Sequence, residues 1–309
     1  MTFNNKINIC LSCDDNFAKH AGVVIASILF NANTNDEITF FILDGDISNS
    51  NINKLEELKK IKKCSINFIK INKEIFRDYE NVKTHDYVTL ATYYRLKLPS
   101  LLPNIDKVLY FDCDFVINSE LTELFNTDLE NNPIAGVLDI KKSKVCKNPT
   151  YINAGMLIFD MQKMKQLDLE KKFYEWTKKN IDKITCGDQE IINEVCKGQI
   201  KVLDSEWNVQ SSNFTNRSSY MKNPKGIHFI SKKKPWNFAS YSYHKSYYFK
   251  YLQLTPWALK GFNKFVWTKL NQIVSLLCYI GYRPLFIFRP KFYQAFYYTY
   301  IKPIKGGEN

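Results

Sequence analysis

Asp112 and Asp114 stand two residues apart in Lys107-Val108-Leu109-Tyr110-Phe111-Asp112-Cys113-Asp114-Phe115-Val116-Ile117, an otherwise apolar run that reads as a buried strand. Residues two apart on a strand point to one side, so the two carboxylates are expected to converge on a single point. Converging carboxylates repel unless a cation lies between them, and an unpaired carboxylate in apolar surroundings prefers to protonate. Hard oxygen donors at the end of a strand suit a divalent metal. The competing reading is a strand that stops at Phe111 and runs into an aspartate-rich turn that binds nothing.

Other polar clusters fall where strands are expected to end. Ser12-Cys13-Asp14-Asp15-Asn16 follows the apolar run Ile7–Leu11 and could hydrogen-bond a base or ribose, or simply cap a helix at Ala18. Tyr151-Ile152-Asn153-Ala154-Gly155 places small residues before an apolar strand, where a ligand could approach the backbone. Cys186-Gly187-Asp188-Gln189-Glu190 opens a helix, either as a plain cap or as part of a site. His228 lies in the short apolar run Gly226–Ile230, as a metal ligand or a satisfied core histidine, and Lys232-Lys233-Lys234-Pro235-Trp236 follows it.

The elements that must position these clusters alternate. Strands are expected at 7–11, 38–43, 65–71, around Asp112, at 134–138 and at 154–159. Helices are expected from Ala18 to Phe30, from a Ser48 or Asn49 cap through Ile61, from Thr89 to Leu98 (ending before Pro99), from Leu169 to Lys179 and from Asp188 to Cys196. Such alternation implies a largely parallel sheet covered on both faces, with ligands bound beyond the carboxyl ends of its strands. Neither G-x-G-x-x-G nor G-x-x-x-x-G-K occurs.

At 309 residues, 45% hydrophobic and 24% charged, the chain reads as a folded globular protein with one large domain or two small ones. The N-terminus carries no signal-peptide pattern, and the longest apolar stretch, Ile273 to Tyr282, is half the length of a spanning helix, so a cytoplasmic location is expected. The eight cysteines then read as reduced thiols. The net charge of +12 is uneven: residues 251–309 hold eight Lys/Arg against the single acid Glu308, among many aromatics such as Trp257, Trp267, Phe286 and Tyr297. This composition shift divides the chain into a 1–250 domain, which carries the polar clusters and is expected to be the catalytic one, and a 251–309 basic, aromatic tail. The charge and the paired aspartates also raise a different class, a metal-dependent nucleic-acid-binding protein or nuclease. Against it, the excess charge lies in the tail while the polar clusters lie elsewhere.

Cys13-Asp14-Asp15-Asn16-Phe17, Tyr93-Tyr94-Arg95-Leu96-Lys97-Leu98, Leu109-Tyr110-Phe111-Asp112-Cys113-Asp114, Asn153-Ala154-Gly155, Asp188-Gln189 and His228 followed by Lys234-Pro235-Trp236 together resemble glycosyltransferase family 8, over about Ile7 to Trp236. That family includes glycogenin and bacterial lipopolysaccharide galactosyl- and glucosyltransferases. The resemblance implies an α/β fold of GT-A type around a D-x-D metal site. It implies that Asp112, Asp114 and His228 hold Mn2+, with Mg2+ as the alternative, and that Asp14, Asn16, Phe17, Cys113, Ala154, Ser231 and Lys234 line the UDP-sugar site. Arg95, Asn153, Asp188 and Gln189 would surround the donor sugar. Ser231 departs from the pattern, which usually has glycine three residues after the metal histidine.

The implied activity is retaining, metal-dependent transfer of glucose or galactose from a UDP-sugar to a glycan or lipid-linked acceptor in cell-surface polysaccharide synthesis. A catalytically silent partner subunit is the other reading within the family. No nucleic acid is expected as a partner. The amide at Gln189 is a poor nucleophile, which favours front-face attack and leaves Asp188 in reserve. In the tail, Pro256, Pro284, Pro290 and Pro303 exclude one long spanning helix, while Lys260, Lys264 and Lys269 fall on roughly one side of a helix over Trp257–Ile280. That pattern suits peripheral contact with the anionic inner face of a cell membrane.

Overall fold

The structure, a computed structural model, describes residues 5–82, 89–211, 221, 223–230, 232, 234–237, 240, 242 and 244–259. β1 (Asn5–Cys13), β2 (Asp36–Asp44) and β3 (Ser65–Lys70) alternate with α1 (Ala18–Asn31) and α2 (Asn49–Glu56). After α3 (Leu98–Leu101) come β4 (Lys107–Phe111), β5 (Phe115–Ile117), α4 (Thr122–Phe125), β6 (Ile134–Leu138), α5 (Ile140–Val145) and β7 (Ile152–Asp160). The helices α6 (Met161–Gln166), α7 (Leu169–Asn180) and α8 (Gly187–Val195) precede β8 (Ile200–Leu203), β9 (Val209–Gln210), β10 (Gly226–His228) and α9 (Lys245–Leu252).

Seven strands form the main sheet in the order β3-β2-β1-β4-β7-β6-β8, with β7 antiparallel to both neighbours and every other pairing parallel. Apolar cores cover both faces, which is why β4 and β7 read as continuous apolar runs rather than alternating ones. Ser48 caps α2, its hydroxyl accepting from the Asn51 amide at 3.3 Å.

Three elements differ from expectation. The helix expected through Ile61 is α-helical only to Glu56 and continues as a 3-10 helix over Glu57–Lys60. Leu90–Lys97 is a 3-10 helix rather than an α-helix, and Pro99 does not end it but enters the first turn of α3. Proline suits that place because its missing N–H would be unpaired there anyway. The run 107–117 is two strands, with Asp112–Asp114 in a turn between them. β4 pairs with β1 and β7 only as far as Phe111, and β5 leaves for a second, three-stranded sheet of order β5-β10-β9. The paired aspartates therefore mark the switch from one sheet to the other.

Residue 250 lies inside α9, and the chain beyond it continues to pack on the main body. Tyr251 and Leu252 are buried with Val23, Val116 and Phe229. The Tyr251 hydroxyl accepts from Asn31 at 2.8 Å and donates to Asn118 at 2.9 Å. Trp257 lies against Gly22, where a Cβ would come within 2.6 Å of the indole. The rest of the basic tail, from residue 260 on, lies outside the described residues.

Candidate active site

The turn at Asp112–Asp114 and the register of the small sheet together assemble the expected triad. β10 pairs antiparallel with β5 so that His228 stands opposite Phe115, one residue beyond Asp114. One atom each from Asp112, Asp114 and His228 falls within 4.8 Å of the others. His228 Nε2 lies 3.2 Å from Asp114 Oδ1 and 3.9 Å from Asp112 Oδ2. The second oxygen of each carboxylate is taken by a protein cation: Arg95 Nη2 donates to Asp112 Oδ1 at 2.6 Å, and Lys234 Nζ to Asp114 Oδ2 at 2.5 Å. Burial works against the Asp114 charge, but Lys234 and His228 outweigh it and hold this carboxyl well below the usual range.

The histidine is oriented from behind. Gly155 N donates to Asn153 Oδ1 at 3.1 Å, which fixes that atom as the amide oxygen, since a backbone N–H can only donate. His228 Nδ1, 3.0 Å from the same oxygen, then carries a proton, and in the neutral ring Nε2 presents its lone pair to the aspartates. Asn208, buried, donates to that oxygen at 2.9 Å. Gly155 is glycine for steric reasons: a Cβ there would lie 2.1 Å from His228 Cε1. The residues fit a divalent metal, because a lone-pair nitrogen and two carboxylate oxygens converge and Asp114 Oδ1 is buried without a hydrogen-bond partner.

Arg95 ties the triad to the next group of residues. It is 2% exposed, its Nη1 donates to Ala154 O at 2.5 Å, its guanidinium lies 4.2 Å over the Tyr110 ring, and its Nε sits 3.0 Å from Asp188 Oδ2. The Asp188 contact is an ion pair without hydrogen-bond alignment. Burial pushes the Asp188 carboxyl up to about 6, with Arg95 opposing the rise. Gln189 is fixed by the same logic as Asn153: its Oε1 accepts from Ala154 N at 3.2 Å and Asn153 Nδ2 at 3.0 Å, and its Nε2 donates to Asp139 at 3.2 Å.

These groups line a cleft of about 800 Å3 at the carboxyl ends of the parallel strands and the amino end of β7, together with Asp14, Phe17, Cys113, Ala154, Lys234 and Trp236. The Asp14 carboxylate also accepts from Phe17 N at 3.0 Å, so the capping role and a place in the cleft coexist. Trp236 stacks on His20 at 3.6 Å, which pins the end of the Lys234-Pro235-Trp236 segment to α1. Asn16 is exposed and does not line the cleft, and Lys234 sits on Asp114. Ser231 lies outside the described residues. Sequence reasoning missed Asp139 and Asn208. Asp139 directly follows the strand Ile134–Leu138, so the strand-end rule applied elsewhere would have found it; Asn208 carries no local signal.

The family model described as "Glycosyl transferase family 8" matches residues 8–240. The chain belongs to glycosyl transferase family 8. A putative glycosyltransferase of Haemophilus influenzae is 33% identical over 211 residues, 65% of this chain and 63% of that protein, so the chain spans just under two thirds of that relative's length. The lipopolysaccharide 1,3-galactosyltransferase of Salmonella typhimurium is 26% identical over 274 residues, 82% of this chain and 80% of that one. Among solved structures, the galactosyltransferase LgtC in complex with donor and acceptor sugar analogs superposes with a TM-score of 0.72 at 25% identity, covering 81% of this chain and 96% of its own. The fold is thus of GT-A type, and family membership displaces the nuclease reading in favour of a glycosyltransferase.

Proposed function

We propose that this family 8 protein transfers glucose or galactose from a UDP-sugar to an acceptor hydroxyl with retention at the anomeric carbon, using a divalent metal held by Asp112, Asp114 and His228. The convergence of His228 Nε2 with one free oxygen from each aspartate carries this reading. It also supports an active enzyme over a silent partner subunit. The imidazole donor favours Mn2+ over Mg2+. The bound metal would supply positive charge for the diphosphate of the departing UDP.

The residues of the chain have distinct tasks in this reading. Asp14 and Phe17 face the nucleoside and Lys234 the diphosphate, with Cys113 and Ala154 lining the donor site between them. Arg95 holds Asp112 and Asp188 in place. Gln189 and Asn153 face the sugar, but the amide oxygen of Gln189 already accepts two hydrogen bonds. An occupied amide oxygen is a poor nucleophile, which supports front-face attack: the acceptor oxygen bonds to C1 as the bond from C1 to the diphosphate breaks. The acceptor proton passes to a diphosphate oxygen. Asp188, paired with Arg95, stays the reserve nucleophile.

The test is a panel of UDP-hexoses with Mn2+, following release of UDP without acceptor and then the product's anomeric proton coupling by NMR. An α-linked product from an α-linked donor is expected; a β-linked product overturns retention, and no turnover of any UDP-hexose overturns the donor assignment.

The proposal extends to location: a cytoplasmic enzyme whose tail rests on the anionic inner face of the membrane. Among the described residues, no helix is long and apolar enough to cross a membrane. Residues 251–257 pack on the catalytic domain, so we place the functional junction near Leu259 rather than at 250. All eight basic residues counted in the tail lie beyond it, and each contributes on the order of 1 kcal/mol at such a surface. The full chain is expected to sediment with phosphatidylglycerol vesicles and release in high salt, while a chain ending at Leu259 stays in solution and still hydrolyses donor. Equal sedimentation of the two would remove the tail from membrane docking.

A further inference from the structure

We infer that Lys141 and Lys142 hold an anionic group of the acceptor, so that the acceptor carries a phosphate or carboxylate near the hydroxyl it offers; the inference rests on glycosyl transfer in this cleft. A continuous set of contacts leads away from the triad. His228 touches Asn153, Asn153 touches Gln189, and Gln189 donates to Asp139 Oδ2. Asp139 then caps α5, its Oδ1 accepting from Lys142 N at 3.0 Å. With the diphosphate at the triad and the sugar by Asn153 and Gln189, the next place along the cleft, beyond Asp139, belongs to the acceptor. Lys141 and Lys142 line the cleft there.

The composition of α5 has no packing reason behind it, since none of its residues is buried. Between Asp139 and Thr150 the chain carries Lys141, Lys142, Lys144 and Lys147 and no acid. The other cations described above are matched within the cleft, Arg95 by Asp112 and Asp188 and Lys234 by Asp114. Among the described residues, neither Lys141 nor Lys142 has a carboxylate within 4.0 Å. The Lys142 side chain hydrogen-bonds the Cys186 thiol, and Cys146 and Glu190 also lie close enough to act on its charge. The loop holding these lysines is not loose: the Ser143 hydroxyl donates to Asn148 O at 2.7 Å, and the Asn148 side chain is buried. Cations without a carboxylate partner, on a backbone fixed at the acceptor end of a cleft, select a substrate that brings negative charge.

The experiment uses the full chain with Mn2+ and the UDP-hexose that it hydrolyses, and compares acceptors in matched sets: a neutral methyl hexoside, the same hexoside as its 6-phosphate, and the corresponding methyl hexuronide. At least one charged acceptor is expected to show kcat/KM roughly tenfold above the neutral one, the effect of two partly solvated ion pairs, and the advantage shrinks as salt is raised. The phosphate and carboxylate members show which group the lysines take. In K141Q/K142Q the charged-over-neutral ratio falls to about one; because it is a ratio within one protein, a general loss of activity cancels. Equal or better use of the neutral acceptor, hydrolysis without transfer to any charged acceptor, or an unchanged ratio in K141Q/K142Q overturns the inference. Absence of UDP-hexose hydrolysis by the unaltered chain is a different failure, that of the parent reading.

Discussion

Asp112→Asn lowers the rate of UDP-hexose hydrolysis by on the order of 10²–10³ or more while the protein stays folded, the loss typical when one preorganised charge is removed from a transition state. The substitution changes little volume, so packing around β4 survives. The amide would be oriented unfavourably as well as uncharged. Arg95 Nη2 donates to Oδ1 of Asp112, so an asparagine here turns its oxygen to Arg95 and its NH2 group toward the point shared with Asp114 and His228. An N–H donor cannot bind a cation. Metal titration followed by UDP release checks both halves: the variant needs far more Mn2+, and excess EDTA silences the unaltered enzyme. Full activity in EDTA, or an Asp112→Asn enzyme at the original rate, would end the metal reading.

Arg95→Met costs about 3–5 kcal/mol of folding stability, the usual consequence of removing one partner from a buried ion pair, and a large part of what a typical domain has. Methionine replaces the apolar length of the side chain but leaves Ala154 O, Asp112 Oδ1 and Asp188 Oδ2 without their cation. The effect depends on pH in a fixed direction. Burial already raises Asp188 to about 6 in the folded state, above its unfolded value, so this group favours folding most at low pH and progressively less as pH rises through 6. Without Arg95 its folded pKa rises further, and the penalty goes on growing at higher pH. Urea unfolding of the metal-free proteins is therefore expected to show a wider gap between Arg95→Met and the unaltered chain at about pH 8 than at about pH 5.5. A gap below about 0.5 kcal/mol, or one that narrows with pH, would remove Arg95 from its place as the cation joining Asp112 to Asp188.

The alternation of strands and helices was legible because its signals are local. The apolar run of β1, the long apolar α1 and the Ser48 cap each involve residues within a turn or two of one another. The candidate residues could be found the same way, since polar clusters interrupt apolar runs at strand ends. The geometry of Asp112 and Asp114 was not. A single strand over 107–117 would make the pair converge by alternation, whereas the two aspartates occupy a turn and converge because the chain changes sheets there. The strand does stop at Phe111, and the two carboxylates still converge with His228.

By itself the sequence determined which residue types are available, the order of elements that presents them, and the family to which their spacing belongs. The tertiary structure decided what each of those residues does to the others. Only the pairing of β10 with β5 brings His228 beside Asp114, and only the missing side chain of Gly155 leaves room for its ring. The reversed direction of β7, the amide network through Asn153, Gln189 and Asp139, and the packing of Tyr251 and Trp257 on α1 belong to the same level. The physical reason is range: strand, helix and cap preferences arise among residues close in the chain, while the position of a ligand or a tautomer depends on hydrogen bonds and van der Waals contacts between segments that only the folded core brings together.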